Sequence, residues 1–448
     1  MTFKRTKIIC TIGPSTQSFF VLKQMQKEGM NVARLNMSHS DHKSAKKIID
    51  RIKRLNKQIK NPIGILMDTQ GPEIRTGDTN NVIDLTTGEV VTFTIRDESD
   101  VESTSIRVHY DELINSVSVG TLISLDNGLM NFEVLKKTEN QLQCKVLDGG
   151  KLGSKRHVNL PGIRINLPSI TEKDKLDIAF GLKEDVDFIA LSFVRNASDI
   201  DDLRAVLKSK LKKIKIISKI EDQEGLSNID EITQCSDGVM VARGDLWIET
   251  DLSNLPNIQR KIMSKCAKYG KRSIVATHLL ESMINNPTPT RAEVTDVANA
   301  IYEGADAVML SGETSVGQFP VEVVNTMERI IRRVEDSPLI ISPHKLPELK
   351  SKRLLTKSVC FHAASVANEI NASAISTLTN SGYTAWQISS WRPNVLILVF
   401  TSNKKILSQL NLLWGVKCMF YDNFVSTDDT IAEVNEIAKA NGFIRKND

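Results

Sequence analysis

The 448-residue chain is short of several things that would mark particular protein classes. It has six cysteines, Cys10, Cys144, Cys235, Cys266, Cys360 and Cys418, scattered without CxxC spacing. That excludes a zinc knuckle and a disulfide framework and points to a reducing compartment. A formal net charge of +4 is small for this length and gives no case for a nucleic-acid partner, although a local basic site for phosphorylated small molecules stays open. No stretch approaches the roughly 20 uninterrupted apolar residues that span a bilayer, and the opening MTFKRTKIIC lacks the apolar core of a signal peptide, so a cytoplasmic location with no membrane partner is expected. With 23 Gly and 13 Pro among 448 residues, neither a fibrous repeat nor disorder is indicated. No P-loop is present, no nucleophile triad is apparent, and there are only seven histidines.

What is present is a long alternation. Two or three domains are expected from the length. Short β-branched runs bounded by turn residues fall at 7–12, 32–36, 63–68, 188–193, 214–220, 238–243, 273–277 and 307–311, with helical periodicity between them, as at 19–27, 41–58 and 172–183. Thr290 with Glu293 has the spacing of a capping box. Eight such units close into a (β/α)₈ TIM barrel, here an α/β fold interrupted in its third unit. Between Gly71 and about Pro168 the helical period gives way to alternating strands at 90–95, 121–125 and 143–147, with turn signals at Asp126-Asn127-Gly128 and Gly149-Gly150. This predicts a small antiparallel β-barrel domain inserted at 71–168 as a lid, splitting the barrel domain into 1–70 and 169–336. After a helix at 321–334 comes a Pro- and Lys-rich linker at 337–352. A separate C-terminal α/β domain then spans 353–448, with strands at 374–378, 395–401 and 416–421.

In a barrel of this kind the C-terminal strand ends surround one shared site. Those ends carry Arg34, Asn36 and Ser38; Asp68 and Thr69; Ser192; Lys219 and Glu221; Arg243, Gly244 and Asp245; Thr277; and Ser311, Gly312 and Glu313. Residues two apart share a face of a strand, so Arg34 points with Asn36 and Lys219 with Glu221. Any one polar strand end is what a barrel shows where its chain meets solvent. Charges inside an apolar run such as KIISKIED are another matter, since burying them is costly unless they pair with each other or with a metal. Lys219, Glu221 and Asp245 therefore suggest a carboxylate pair holding Mg²⁺ or Mn²⁺ beside a lysine that stabilises developing negative charge. Oxygen ligands, several cations and few histidines suit phosphate or enolate chemistry better than acyl transfer.

The motifs KIICTIGPST, VARLNMSHS, MDTQGPEIRTG, ISKIED, MVARGDL, PTPTRAEVTDVANAI and VMLSGETSVGQFP resemble the pyruvate kinase family over nearly the whole chain. The resemblance implies a glycolytic enzyme that transfers the phosphoryl group of phosphoenolpyruvate to ADP with Mg²⁺ and K⁺, and a homotetramer. Carried over residue by residue, it implies that Arg34 and Lys219 contact the phosphoryl group and that Glu221 and Asp245 ligate the divalent metal. Gly244, Asp245 and Thr277 would hold the substrate carboxylate, with Thr277 and Ser311 near the route by which the enolate is protonated. Asn36, Ser38, Asp68 and Thr69 match a monovalent-cation site. Glu73, where potassium-independent relatives tend to carry lysine, favours a K⁺ requirement. Pro14, Asn36, Met37, Ser38, His39, Arg75 and Arg156 match positions around the nucleotide.

The chain also departs from the family. Trp247 stands where glycine is usual, either crowding the pocket or covering the helix start from outside; the intact polar residues beside it favour the second. His278 replaces glutamine after Thr277 and is expected as a packed residue rather than a new base. Arg156 and His157 stand where lysine and glycine are common, and Arg156 keeps the charge without lysine's point-like geometry. Thr379-Asn380-Ser381-Gly382-Tyr383-Thr384 resembles a loop that grips an effector phosphate, and is equally an ordinary helix cap. The sequence ends at Asp448, before the closing strands usual after Gly442, which argues against activation by a sugar bisphosphate. Two other readings are a catalytically silent homologue that binds phosphometabolites and another metal-dependent barrel enzyme acting on pyruvate or its enolate.

Overall fold

The eight β-branched runs form eight parallel strands that close on themselves. In the computed structural model, which describes residues 3–79, 82–96, 105–126, 128–163, 165–208, 213–337, 353–423 and 426–445, they follow chain order around the ring. These are Lys7–Thr11, Met30–Asn36, Gly64–Asp68, Phe188–Leu191, Lys215–Ile220, Gly238–Ala242, Arg272–Ala276 and Ala307–Leu310, the last pairing with the first through Ile9↔Met309. Helices cover the outside, and the capping box expected at Thr290 is present. Asp41 caps His42–Asn56, and reciprocal capping boxes open Glu172–Lys183 at Thr171 and Arg291–Tyr302 at Thr290.

Alternation along each strand separates two cores. Ile8 and Cys10 face the helices, while Ile9 faces the lumen with Val32, Leu66, Phe188, Ala190, Ile217, Met240, Ile274, Ala276, Ala307 and Met309. The lumen is thus filled by side chains, as in other barrels of this type. Its floor is closed by Leu412 from the C-terminal part, and the fully buried Lys7 donates to the Val416 carbonyl at 2.8 Å.

Residues after the third strand form a seven-stranded sheet with its own apolar core around Phe93 and Phe132. Its edge strands Ile74–Arg75 and Ser105–Arg107 are brought together by Gly77 N donating to Arg107 O and His109 N donating to Arg75 O, both 2.9 Å, so the sheet curls into a barrel. One correction to the antiparallel expectation is needed: Val90–Thr94 pairs in parallel with Ser105–Arg107, an arrangement that requires a crossover rather than a hairpin. Beyond the helix Pro320–Glu335, three parallel strands, Ala374–Leu378, Leu396–Thr401 and Val416–Phe420, form the C-terminal sheet. The linker expected at 337–352 lies, except for Ser337, outside the described residues. In the loop that resembles a phosphate grip, Gly382 N donates to Thr379 Oγ1 (3.0 Å), and Gly382, at φ +79°, precedes the helix Tyr383–Ser390. No helix among the described residues is long and apolar enough to cross a membrane, and all six cysteines are free.

Candidate active site

The lumen alternation continues upward, and at its last step the residue type changes. Inward positions pass from Ile9 to Thr11, Val32 to Arg34 and Asn36, Leu66 to Asp68, Ala190 to Ser192, Ile217 to Lys219 and Glu221, and Met309 to Ser311. A layer of charge therefore sits on an apolar floor, where it is stable only if mutually paired. It is paired. Lys219 Nζ lies 3.1 Å from Asp68 Oδ1 and 2.9 Å from Glu221 Oε1, and donates to Ser192 Oγ at 2.7 Å. Arg34 Nε meets Asp68 Oδ2 at 2.7 Å and its Nη1 donates to Thr11 Oγ1 at 3.0 Å. Glu221 Oε2 accepts from the Phe193 amide at 2.6 Å, and the Glu221 and Asp245 side chains are hydrogen bonded to each other.

Each shift in acidity has a visible cause. Burial pushes the Asp68 carboxyl up, but Lys219 and Arg34 outweigh it and hold it below the usual range. Burial lowers Lys219, yet Asp68 and Glu221 outweigh that and raise it, so it stays charged. For Glu221 burial wins: despite Lys219, it is pushed up to about 7, with Asp245 adding to the rise. Asp245 is raised too, by burial first, against Lys219 and with help from Glu73. Two cations, Arg34 and Lys219, thus face three carboxylates, Asp68, Glu221 and Asp245. The surplus negative charge falls on the one pair that is hydrogen bonded to itself. That donor set fits a divalent cation of the Mg²⁺ kind, which takes one or two protein carboxylates and fills its other positions with water and substrate oxygens. Among the described residues no group of three or more His, Cys, Asp or Glu forms a fuller metal cage.

Lys219, Glu221, Asp245 and Arg34 line one cleft of about 320 Å³ with Asn36, Ser38, His39, Glu73, Arg75, Asp126, Arg156 and His157. Arg156 Nη1 lies 3.3 Å from Asp126 Oδ1, and Arg75 is paired with Glu73 and donates to the Lys155 carbonyl at 2.9 Å. His157, lowered in pKa chiefly by burial, stands 4.0 Å from Asp245. Two of the expected nucleotide residues are not on the cleft wall: Pro14 is exposed, and Met37 is fully buried, its carbonyl accepting from Lys173 Nζ at 2.7 Å. Of the four expected K⁺ residues, Asn36 and Ser38 reach the cleft. Asp68 lies behind it, bound to both cations, and the Thr69 hydroxyl accepts from the Ser192 amide at 3.1 Å. All four present oxygen, the donor type an alkali cation takes.

On the far side of Asp245, the Gly244 amide donates to Thr277 Oγ1 at 2.8 Å. Thr277 and His278 both hold positive φ, +68° and +53°, a strained pair for non-glycine residues. Arg243 maintains it: its guanidinium donates to the carbonyls of Ala276 (3.2 Å) and Thr277 (2.6 Å) and is held by Asp296 at 2.8 Å. The same turn swings His278 outward, 55% exposed and 3.6 Å from Glu281, which corrects the expectation of a packed residue. Ser311 Oγ is buried without a partner among the described residues, while the Ser311 amide donates to Glu313 Oε2 at 2.6 Å. Trp247 is not on the wall of this cleft. Thr11 escaped the sequence reading although its signal was there: it stands two residues after Ile9 on the inward face. The supporting roles of Arg243 and Asp296 have no such signal, since 53 residues separate them.

Two family models match the chain, that of the pyruvate kinase barrel domain over residues 3–324 and that of the pyruvate kinase alpha/beta domain over 357–448. The chain is 42% identical to a pyruvate kinase of Staphylococcus epidermidis, covering 99% of this chain and 76% of that protein. It is 43% identical to plastidial pyruvate kinase 2 of Arabidopsis thaliana with the same coverage. A crystal structure of a pyruvate kinase from Cryptosporidium parvum superposes with a TM-score of 0.91 at 37% identity, over 99% of this chain and 92% of that one.

Proposed function

From the premise that this chain belongs to the pyruvate kinase family and is a phosphotransferase, we propose that it transfers the phosphoryl group of phosphoenolpyruvate to ADP, giving pyruvate and ATP. The observation that carries the proposal is the meeting of Lys219 with the Glu221–Asp245 pair in one cleft at the barrel mouth. Glu221 and Asp245 would hold Mg²⁺ or Mn²⁺, and Asn36, Ser38, Asp68 and Thr69 would hold K⁺. When bound, these ions neutralise phosphoryl oxygens and align donor with acceptor. Arg34 and Lys219 bind the phosphoryl group, and the permanently charged Lys219 opposes negative charge as the P–O bond to the enol oxygen breaks and one to the terminal oxygen of ADP forms. The Gly244 and Asp245 amides and the Thr277 hydroxyl orient the substrate carboxylate. The enolate left behind takes its proton at C3 along a route past Thr277 and Ser311, whose buried, unpartnered hydroxyl can pass one on. Arg75, His39 and Arg156 surround the nucleotide. Residues 71–168 act as a lid on a barrel formed by 1–70 and 169–336, with 353–448 as a further domain, in a cytoplasmic homotetramer.

The test is a coupled assay of pyruvate formation from phosphoenolpyruvate, ADP, Mg²⁺ and K⁺. Turnover supports the reading; its absence, with both substrates still bound, would favour the silent phosphometabolite-binding homologue. Replacing K⁺ by Na⁺ is expected to lower the rate sharply if Glu73 marks a K⁺ requirement, and an unchanged rate sinks that part.

A further inference from the structure

The short helix Arg243–Glu249, which carries Asp245, is also the shelf on which the lid rests. Asp245 meets His157 at its start, and Glu249 accepts from Asn159 Nδ2 (3.5 Å) at its end. Between them stands Trp247, half-buried, with its indole turned to the lid turn at Gly128. A methyl group built on Gly128 would lie in ordinary van der Waals contact, 3.4 Å from Cη2 and 3.5 Å from Cζ2 of the indole and 3.6 Å from Cγ1 of Ile248, so the glycine faces the benzo edge across a gap about one methyl wide, with Ile248 beside it. Gly128 holds φ +80°, a conformation that suits glycine.

Residues on either side of the turn are bonded to the nucleotide side of the cleft. Asn131 Nδ2 donates to the Gly128 carbonyl at 3.1 Å, the Asp126 amide donates to the His157 carbonyl at 3.0 Å, and the Asp126 side chain holds Arg156. Displacing Gly128 therefore displaces Asp126 and Arg156 together. We propose that Trp247 is the seat of the lid: a positioning residue whose indole, facing Gly128, favours the closed lid and so sets the affinity for the nucleoside diphosphate. This rests on the pyruvate kinase reading for its substrate, and it assigns a role to a residue that stands in place of the family's usual glycine. Weakening the seat lowers the fraction of closed lid, and apparent nucleotide affinity falls by that fraction.

Trp247 reports on itself, because the other three tryptophans, Trp386, Trp391 and Trp414, all lie in the C-terminal part. Subtracting the emission of Trp247→Phe from that of the wild type isolates its signal. In the ligand-free protein, Gly128→Lys, which forces a long side chain against the indole, is expected to raise acrylamide quenching of Trp247 severalfold. Equal quenching in the two proteins overturns the seat whether or not the enzyme turns over, and so separates this proposal from the assignment of function. In the coupled assay Trp247→Gly is expected to raise KM for ADP about tenfold, equivalent to about 1.4 kcal/mol, with KM for phosphoenolpyruvate unchanged and kcat not reduced. Trp247→Phe should fall between. A wild-type KM for ADP in Trp247→Gly, or equal rises in both KM values, refutes the proposal.

Discussion

Without metal, Glu221 and Asp245 share a hydrogen bond in a site that penalises charge, and burial pushes Glu221 to about 7. A divalent ion held between them must displace that proton, so metal and proton compete below neutrality. With one proton displaced, the dissociation constant for Mn²⁺ is expected to rise about fivefold between pH 7 and 6, a loss of about 1 kcal/mol, and to approach about tenfold per pH unit further below. The same shift has a sign for stability. Glu221 is raised in the folded state, so its protonated form favours folding fully below its ordinary value, and that contribution is lost as pH rises through about 7. The metal-free protein should thus lose at most about 3 kcal/mol between pH 4.5 and 8, and Mn²⁺ should restore much of it at pH 8. Mn²⁺ titration by electron paramagnetic resonance at pH 6, 7 and 8 reads the first effect directly, and Glu221→Gln should both weaken binding and flatten the pH dependence. A dissociation constant that is the same at pH 8 and pH 6 would mean that the pair is ionised throughout, and the reasoning would fail.

Two other consequences are open to measurement. Arg243→Lys replaces a fork that grips two carbonyls with a point charge, so the Thr277 turn should loosen. The expected result is a fall of about tenfold to a hundredfold in kcat/KM for phosphoenolpyruvate with KM for ADP unmoved; a wild-type value would show that Thr277 needs no such support. At the barrel floor, Arg272 is 1% exposed and its Nη1 lies 3.3 Å from Asp306 Oδ1. Asp306→Ala should cost about 3–5 kcal/mol, because it leaves a buried cation without its carboxylate. Chemical denaturation measures the loss, and one below about 1 kcal/mol would show that water or other groups reach the guanidinium.

The barrel was legible because its strands are short β-branched runs whose lumen side alternates strictly with the helix side. The same period-two rule that puts Ile217 in the lumen puts Lys219 and Glu221 above it. Helix starts were legible at Thr290 and Glu293 because a capping box is local chemistry. What the sequence does not carry is contact between distant segments. Nothing in residues 90–107 announces that two lid strands run parallel, and nothing near Trp247 names Gly128 as its neighbour. The outward turn of His278 follows from left-handed backbone at residues 277 and 278, held by Arg243 at the start of the helix Arg243–Glu249. Met37 matches a nucleotide position in the family's text, but its side chain is buried, so only its backbone could serve there.

The central claim is that Lys219 stabilises charge that develops only while the phosphoryl group moves. Lys219→Met, assayed for pyruvate formation alongside direct binding of phosphoenolpyruvate, tests it most directly. The account predicts a kcat reduced by about a thousandfold or more, with phosphoenolpyruvate still bound within about tenfold of the wild-type affinity. A variant that turns over at near the wild-type rate, or one that loses binding while kcat survives, would contradict it.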